Sequence, residues 1–167
     1  APGREGPPLV HPPEDIGLAF DEWLTRGSFP WENNGYPWWS HLHHAKTWWE
    51  YRHRPNILMV HYDDLKKDTD AEMRRISAFL DIPVNEELWP TLLEGVSFDS
   101  MKSNASKMAP GATEGVWKDT SNFFYKGTNK RWQGVLMDKQ IAAYNSLAQA
   151  ELGSELAAWL EFGGRID

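Results

Sequence analysis

The chain has 167 residues, which is enough for one ordinary domain and too few for two. It carries 17 Lys and Arg residues against 24 Asp and Glu residues, and a net charge of -7 argues against a protein that coats nucleic acid or an anionic membrane. The absence of cysteine excludes disulfides, thiolate metal sites and a cysteine nucleophile, and no apolar run is long enough to span a bilayer.

The N-terminal end is predicted to be a flexible arm. Residues 1–13 hold five of the eleven prolines, a composition typical of an extended, mobile segment. The chain begins with Ala1 rather than Met, and no apolar signal segment follows. We therefore expect that the chain starts partway through a longer protein, with residues 14–167 as its folded part.

Helical spacing of apolar residues accounts for most of the folded part. Thr69 and Glu72 match a capping box, with Thr69 as the predicted N-cap. Asp138 is predicted to cap a long helix near the C-terminus. The predicted helices cover residues 16–24, 37–52, 69–80, 86–94, 97–101, 138–152 and 156–160.

One segment predicts a strand instead. Residues 57–60 are apolar without interruption and lead into His61 and Tyr62, which is typical of a central strand buried on both faces of a parallel sheet. A lone strand would leave its backbone N–H and C=O groups unpaired. Its neighbours are either weak segments such as residues 123–125 or strands outside this chain, and we favour the second interpretation.

Charge is unevenly distributed along the chain. Residues 101–131 hold six basic and two acidic residues, a balance of +4, whereas the remaining residues have a balance of -11. This window indicates either a localised anion site or a solvated loop in which lysines occur by chance. Lys126 and Gly127 favour the anion site, because lysine supplies a charge for phosphate and glycine lets the backbone approach closely. The aromatic residues 123–125 could stack on a base.

Three histidines close together, His41, His43 and His44, raise the question of a metal site. No carboxylate stands at a metal-binding spacing from them, so we favour packing among the tryptophans and predict no metal. The Asp63–Asp64 pair is interpreted as an acidic cap on the next turn rather than as a catalytic pair.

Four segments together resemble the cytosolic-type sulfotransferases in order and spacing. The resemblance covers roughly residues 14–162. Its segments are residues 44–50 (HAKTWWE), 56–68 (NILMVHYDDLKKD), 96–104 (VSFDSMKSN) and 123–132 (FFYKGTNKRW).

The resemblance implies the fold, the cofactor and the location. The implied fold is α/β: the C-terminal part of a P-loop-kinase-like domain with a parallel sheet flanked by helices, mostly helical here with one central strand. The implied donor is 3′-phosphoadenosine 5′-phosphosulfate (PAPS), which leaves adenosine 3′,5′-bisphosphate, and the implied location is the cytoplasm. The implied partners are a small acceptor with a hydroxyl or amine and the missing N-terminal part of the same domain.

The resemblance also assigns residues to the cofactor. Val96 replaces a threonine of the family pattern, Tyr125 replaces the arginine of an Arg-Lys-Gly motif that grips the 3′-phosphate, and Lys130 replaces its second glycine. No catalytic residue is assigned, because the family's phosphosulfate loop and catalytic histidine precede the matched region. The implied cofactor-binding residues are Tyr62, Phe98, Met101, Phe123, Phe124, Tyr125, Lys126 and Gly127.

These observations support a sulfotransferase, of which this chain supplies the adenosine and 3′-phosphate side and is inactive alone. One alternative is a nucleotide-binding or protein-interaction module without catalysis, which the loss of the motif arginine favours. Another is a helical protein-binding domain whose tryptophans are hot spots.

Overall fold

A computed structural model describes residues 11–111 and 119–166 of the chain. The predicted arm lies outside the described residues as far as residue 10. No helix in the described ranges is long and apolar enough to cross a membrane. A 3-10 helix covers Thr120–Phe123, and the α-helices are α1 (Ile16–Thr25), α2 (His41–Trp49), α3 (Tyr62–Lys67), α4 (Thr69–Phe79), α5 (Trp89–Gly95), α6 (Phe98–Ser103), α7 (Ala105–Met108) and α8 (Asp138–Phe162).

The chain divides into two compact units. Of the described residues, the middle unit comprises 68–111 and 119–129, and the terminal unit comprises 11–67 and 130–166. The terminal unit therefore joins segments that lie far apart in the sequence, whereas the middle unit is continuous in sequence apart from residues that the structure does not describe.

Helix α8 is the centre of the terminal unit, and α1 and α2 pack against it. Leu42 on α2 is 0% exposed and Leu156 on α8 is 1% exposed, so these leucines form the core of the unit. The rings of Trp49 and Trp159 add an aromatic contact with centroids 5.4 Å apart. Gly153 interrupts α8 with φ 73° and ψ 172°. The interruption lies between the two helices that the sequence predicted, residues 138–152 and 156–160.

Charged side chains stabilise α4 in the middle unit, and one of them connects it to Trp89. The predicted capping box is displaced by one residue: Asp68 is the N-cap, and its carboxylate accepts from the Ala71 N–H at 3.0 Å. The buried carboxylate of Glu72 accepts from Arg75 Nη2 at 2.6 Å. Trp89 is 7% exposed, and the Arg74 guanidinium lies 4.7 Å from its ring centroid.

The predicted α/β fold class is wrong for the described part of the chain, and so is its central strand. Residues 57–61 are irregular and half-buried, between a series of turns and α3, and no strand or sheet is present in the described part of the chain. The alternative partner, residues 123–125, divides between the 3-10 helix and a loop. An apolar run specifies burial, but a strand also needs a neighbouring ladder of backbone hydrogen bonds, which these residues do not meet.

Candidate functional site

Two of the predicted cofactor residues lie on the short helix α6 in the middle unit. Ser97 caps this helix, because its Oγ accepts from the Ser100 N–H at 3.2 Å. Phe98 and Met101 are both half-buried and stand three residues apart, so they lie on neighbouring turns of one face. The Phe98 ring meets the Phe124 ring edge-on, with centroids 6.5 Å apart.

Gly127 lies directly against Phe98. Its φ is +59°, in the left-handed region that glycine adopts without steric cost. A Cβ atom at this position would be 2.5 Å from Phe98 Cδ2, closer than such atoms approach each other. The glycine is therefore required twice, for its backbone conformation and for contact with the ring. This contact joins two separate segments of the sequence.

Lysines border this aromatic cluster. The Lys102 ammonium donates to the Tyr125 carbonyl at 3.3 Å and lies 5.8 Å from the Phe98 ring centroid. The Lys126 ammonium lies 5.1 Å from the Tyr125 ring centroid. Both lysines are exposed, and so are the rings of Phe123 (44%) and Tyr125 (54%). Lys102 was not among the predicted residues, although it stands beside Met101 in a matched segment.

Seven of the eight predicted cofactor residues thus belong to the middle unit. The rings of Phe123 and Phe124 meet edge-on at 5.0 Å, and exposed aromatic faces of this kind can stack on a base. Exposed ammonium groups next to a glycine backbone can bind a phosphate. The cluster has the chemical groups that a phosphorylated nucleoside requires.

The eighth predicted residue, Tyr62, belongs to the terminal unit. It is the first residue of α3 and is 56% exposed, with the Lys66 ammonium 5.9 Å from its ring centroid. The preceding residue, His61, is held in place: its Nδ1 accepts from the Asp63 N–H at 3.2 Å, and its Nε2 lies 3.1 Å from the Leu160 carbonyl. Nε2 therefore carries the proton in this hydrogen-bond network.

The other candidates from the sequence have structural contacts. The His44 ring lies 6.4 Å from the Trp48 ring, edge-on. Burial lowers the pKa of His41, and the neighbouring His44 lowers it further. Asp64 accepts from the Gly164 N–H at 2.7 Å and so contacts the end of the chain, a long-range role that the sequence did not indicate. No group of three or more His, Asp or Glu side chains in the described ranges is arranged to hold a metal ion.

Comparisons with known proteins identify relatives. A family model described as "Sulfotransferase domain" matches residues 21–156. A glycolipid sulfotransferase of Mycobacterium bovis is 31% identical over 124 residues, which cover 74% of this chain and 38% of that protein. The luciferin sulfotransferase of Photinus pyralis is 31% identical over 111 residues, which cover 64% of this chain and 30% of that protein.

A solved structure is also similar. The crystal structure of mouse sulfotransferase SULT7A1 complexed with PAP has a TM-score of 0.62 and 29% sequence identity. The match covers 73% of this chain and 45% of that one. The chain therefore spans less than half the length of the relatives that it matches.

Proposed function

Because this chain belongs to the sulfotransferase domain family, we propose that it supplies the adenosine and 3′-phosphate side of a PAPS-dependent sulfotransferase. The observation that carries the proposal is the contact between Gly127 and Phe98, bordered by Lys102 and Lys126. Two segments matched independently in the sequence meet in space at this contact. The mouse neighbour, solved with PAP (adenosine 3′,5′-bisphosphate), supports a nucleotide as the ligand.

The donor, when bound, supplies a sulfuryl group on a good leaving group. The bond from sulfur to the phosphate oxygen breaks, a bond from sulfur to the acceptor oxygen or nitrogen forms, and the acceptor loses its proton. Catalysis of such a transfer depends mostly on positioning and on stabilisation of charge. In our proposal this chain contributes the positioning: Lys126 and the Gly127 backbone bind the 3′-phosphate, and Phe98, Met101 and the aromatic residues 123–125 support the adenosine.

The rest of the enzyme is also part of the proposal. The acceptor is a small molecule with a hydroxyl or amine, the location is the cytoplasm, and the remaining part of the domain supplies the phosphosulfate loop. The chain contains no Lys-Ser-Gly-Thr-Thr-like loop, so residues 1–167 alone should not turn over PAPS. Turnover by the purified 167-residue chain would refute this expectation. Tyr62 remains a predicted adenine contact, based on the resemblance.

A second candidate is a nucleotide-binding or interaction module without catalysis. Tyr125 favours it, because a tyrosine cannot form the two parallel hydrogen bonds that the family's arginine offers to a phosphate. The two candidates differ in activity and share the proposed nucleotide site.

Calorimetric titration of the full-length protein tests the proposed site. Lys126→Ala should weaken adenosine 3′,5′-bisphosphate binding by about 1.5–3 kcal/mol, the usual scale for a hydrogen bond to a charged group. Binding of adenosine 5′-monophosphate, which has no 3′-phosphate, should change much less. Lys107→Ala is the matched control, because Lys107 is an exposed lysine of the same unit on α7.

Tyr125→Arg is the companion variant. If Tyr125 occupies the position of the family's arginine, the added guanidinium should tighten binding of the 3′-phosphate nucleotide. If both variants change the affinities for the two nucleotides equally, this segment does not contact the 3′-phosphate, and the proposed site is wrong.

A further inference from the structure

The terminal unit contains a polar cavity that the proposed nucleotide site does not use. Its volume is about 250 Å³, just below the roughly 300–1,000 Å³ of pockets for drug-sized ligands, so it suits a small molecule. Trp31 forms part of its wall. The polar residues that line it include Glu32, Asn34, Ser40, His43, Lys46 and Glu151.

A chain of hydrogen bonds fixes the buried wall of this cavity. The Ser40 N–H donates to Glu32 Oε1 at 3.1 Å, and Ser40 Oγ donates to Asn34 Oδ1 at 2.5 Å. Asn34 Nδ2 in turn donates to Glu151 Oε1 on α8 at 3.0 Å. Asn34 and Ser40 are each 1% exposed. Because both of these polar residues are buried and hydrogen-bonded, the network fixes their side chains in the wall of the cavity.

Glu32 is the exception in this network. Its side chain is buried, at 9% exposed, and its second carboxylate oxygen, Oε2, has no hydrogen-bond partner in the described part of the chain. A buried carboxylate oxygen without a donor costs stability. Such costs are commonly retained where function needs the group. This oxygen is itself fully buried, so a donor in the adjoining cavity would compensate it once the carboxylate group turns toward the cavity.

The charges around the cavity favour a cationic donor. Two carboxylates, Glu32 and Glu151, line it against one ammonium group, that of Lys46, which is exposed. An ammonium ion offers three donors and restores the charge balance. Trp31 adds an aromatic side chain to the wall of the cavity. Its ring stacks on the Phe29 ring with centroids 5.0 Å apart, and the residue is 64% exposed. An indole face attracts cations.

We propose that this cavity binds a small organic ammonium ion, of about the size of a hexosamine, with Glu32 as its counter-ion. On binding, the Glu32 carboxylate turns toward the cavity and accepts from the ammonium at Oε2, and the Ser40–Asn34–Glu151 network holds the rest of the cavity wall in place. The cavity uses none of the residues of the proposed nucleotide site, and its ligand needs no phosphate.

Glucosamine and glucose are matched probes, because they differ by an ammonium in place of one hydroxyl. In titrations of the full-length protein without nucleotide, followed by NMR, we expect glucosamine to bind at least tenfold more tightly than glucose. The backbone N–H of Ser40, which donates to Glu32, and the side-chain amide of Asn34 should report the binding directly. Equal affinities for the two sugars, or no saturable shift at these two groups, would overturn the proposal.

The decisive variant is Glu32→Gln, which keeps an oxygen for the Ser40 N–H and removes the charge. Glucosamine affinity should fall at least tenfold, while glucose affinity stays unchanged. Glu50→Gln, an exposed carboxylate of the same unit outside the cavity, should have no effect. Because the variant removes a buried charge, its unfolding temperature should equal or exceed that of the parent protein. Glucosamine binding that survives in a folded Glu32→Gln protein would refute the role of Glu32.

Discussion

The two units of the molecule are stabilised in different ways. In the terminal unit, side-chain hydrogen bonds join residues that are far apart in the sequence, such as Asn34 to Glu151 and Gln140 to Asp21, separated by 117 and 119 positions. In the middle unit, the corresponding hydrogen bonds join residues that lie closer together in the sequence. Arg75 meets Glu72 three positions away, and Arg74 meets Glu86 twelve positions away.

This difference separates a unit held together by buried long-range contacts from the unit that carries most of the proposed nucleotide site. Gln140, 3% exposed, donates to both the Gly17 carbonyl and Asp21 Oδ1, and so connects α8 to α1 through a buried group. Such contacts leave few alternative arrangements, because each unpaired buried group would cost stability. The middle unit instead keeps the Tyr125 ring and Lys126 exposed, where they can meet a ligand. Substitutions of buried apolar residues in the first unit should therefore act globally, whereas substitutions of these exposed residues in the second unit should act locally.

The largest effect is expected for Leu42→Ala in the terminal unit. Leu42 is 0% exposed on α2, which packs against α8, and truncation of such a leucine typically costs about 2–5 kcal/mol through lost burial and a residual cavity. Urea denaturation measures the loss, and hydrogen exchange should show lower protection in both α2 and α8. Leu92→Ala in the middle unit is the control, because Leu92 is 49% exposed and should change stability far less. Equal losses would contradict the assignment of Leu42 to the buried core.

An intermediate and local effect is expected for Gly127→Ala in the middle unit. An alanine with left-handed backbone costs about 1–2 kcal/mol, and its Cβ would also displace the Phe98 ring. Affinity for adenosine 3′,5′-bisphosphate should fall by about tenfold or more, the equivalent of about 1.4 kcal/mol. Titration calorimetry measures this change, and NMR shifts of the Phe98 and Phe124 rings report the displacement.

The control for this variant is Gly134→Ala. Gly134 also has a positive φ, +74°, but an added Cβ would meet nothing within 4 Å. It should therefore show the conformational cost without a change at Phe98. If both variants weaken nucleotide binding equally, the contact with Phe98 has no part in it.

The contrast also explains what the sequence could predict. Most helix positions followed from local spacing, although α3 and α7 were not predicted. The helix predicted from residue 97 is capped by Ser97, a local contact between residues three positions apart. The strand at residues 57–60 was wrong, because pairing depends on partners elsewhere that an apolar run does not specify. The pairing of Asn34 with Glu151 was equally invisible, because the turn-forming residues around Asn34 give no sign of a partner 117 positions away.

The smallest effect concerns acid stability of the middle unit. A hydrogen bond from the Trp89 indole, followed by the charge of Arg74, lowers the pKa of Asp70. Hydrogen bonds from Arg74, at 2.7 and 2.9 Å, lower the pKa of Glu86. Carboxyl groups with a lowered pKa bind fewer protons in the folded state than in the unfolded state. Their stabilisation is therefore present above the ordinary values of 3.8 and 4.5 and is lost as the pH falls through the lower folded values.

Glu86→Gln isolates this contribution. The unfolding temperature of the parent protein should fall on acidification below pH 4.5, the ordinary value for a glutamate, and the fall should be smaller in Glu86→Gln. The difference should be modest, since the side chains of Asp70 and Glu86 are 49% and 70% exposed and water screens such pairs. For the same reason, high salt should reduce it. Glu87→Gln, an adjacent exposed carboxylate, should behave like the parent protein. If Glu86→Gln and Glu87→Gln have the same acid profile, the pair of Arg74 with Glu86 contributes no pH-dependent stability.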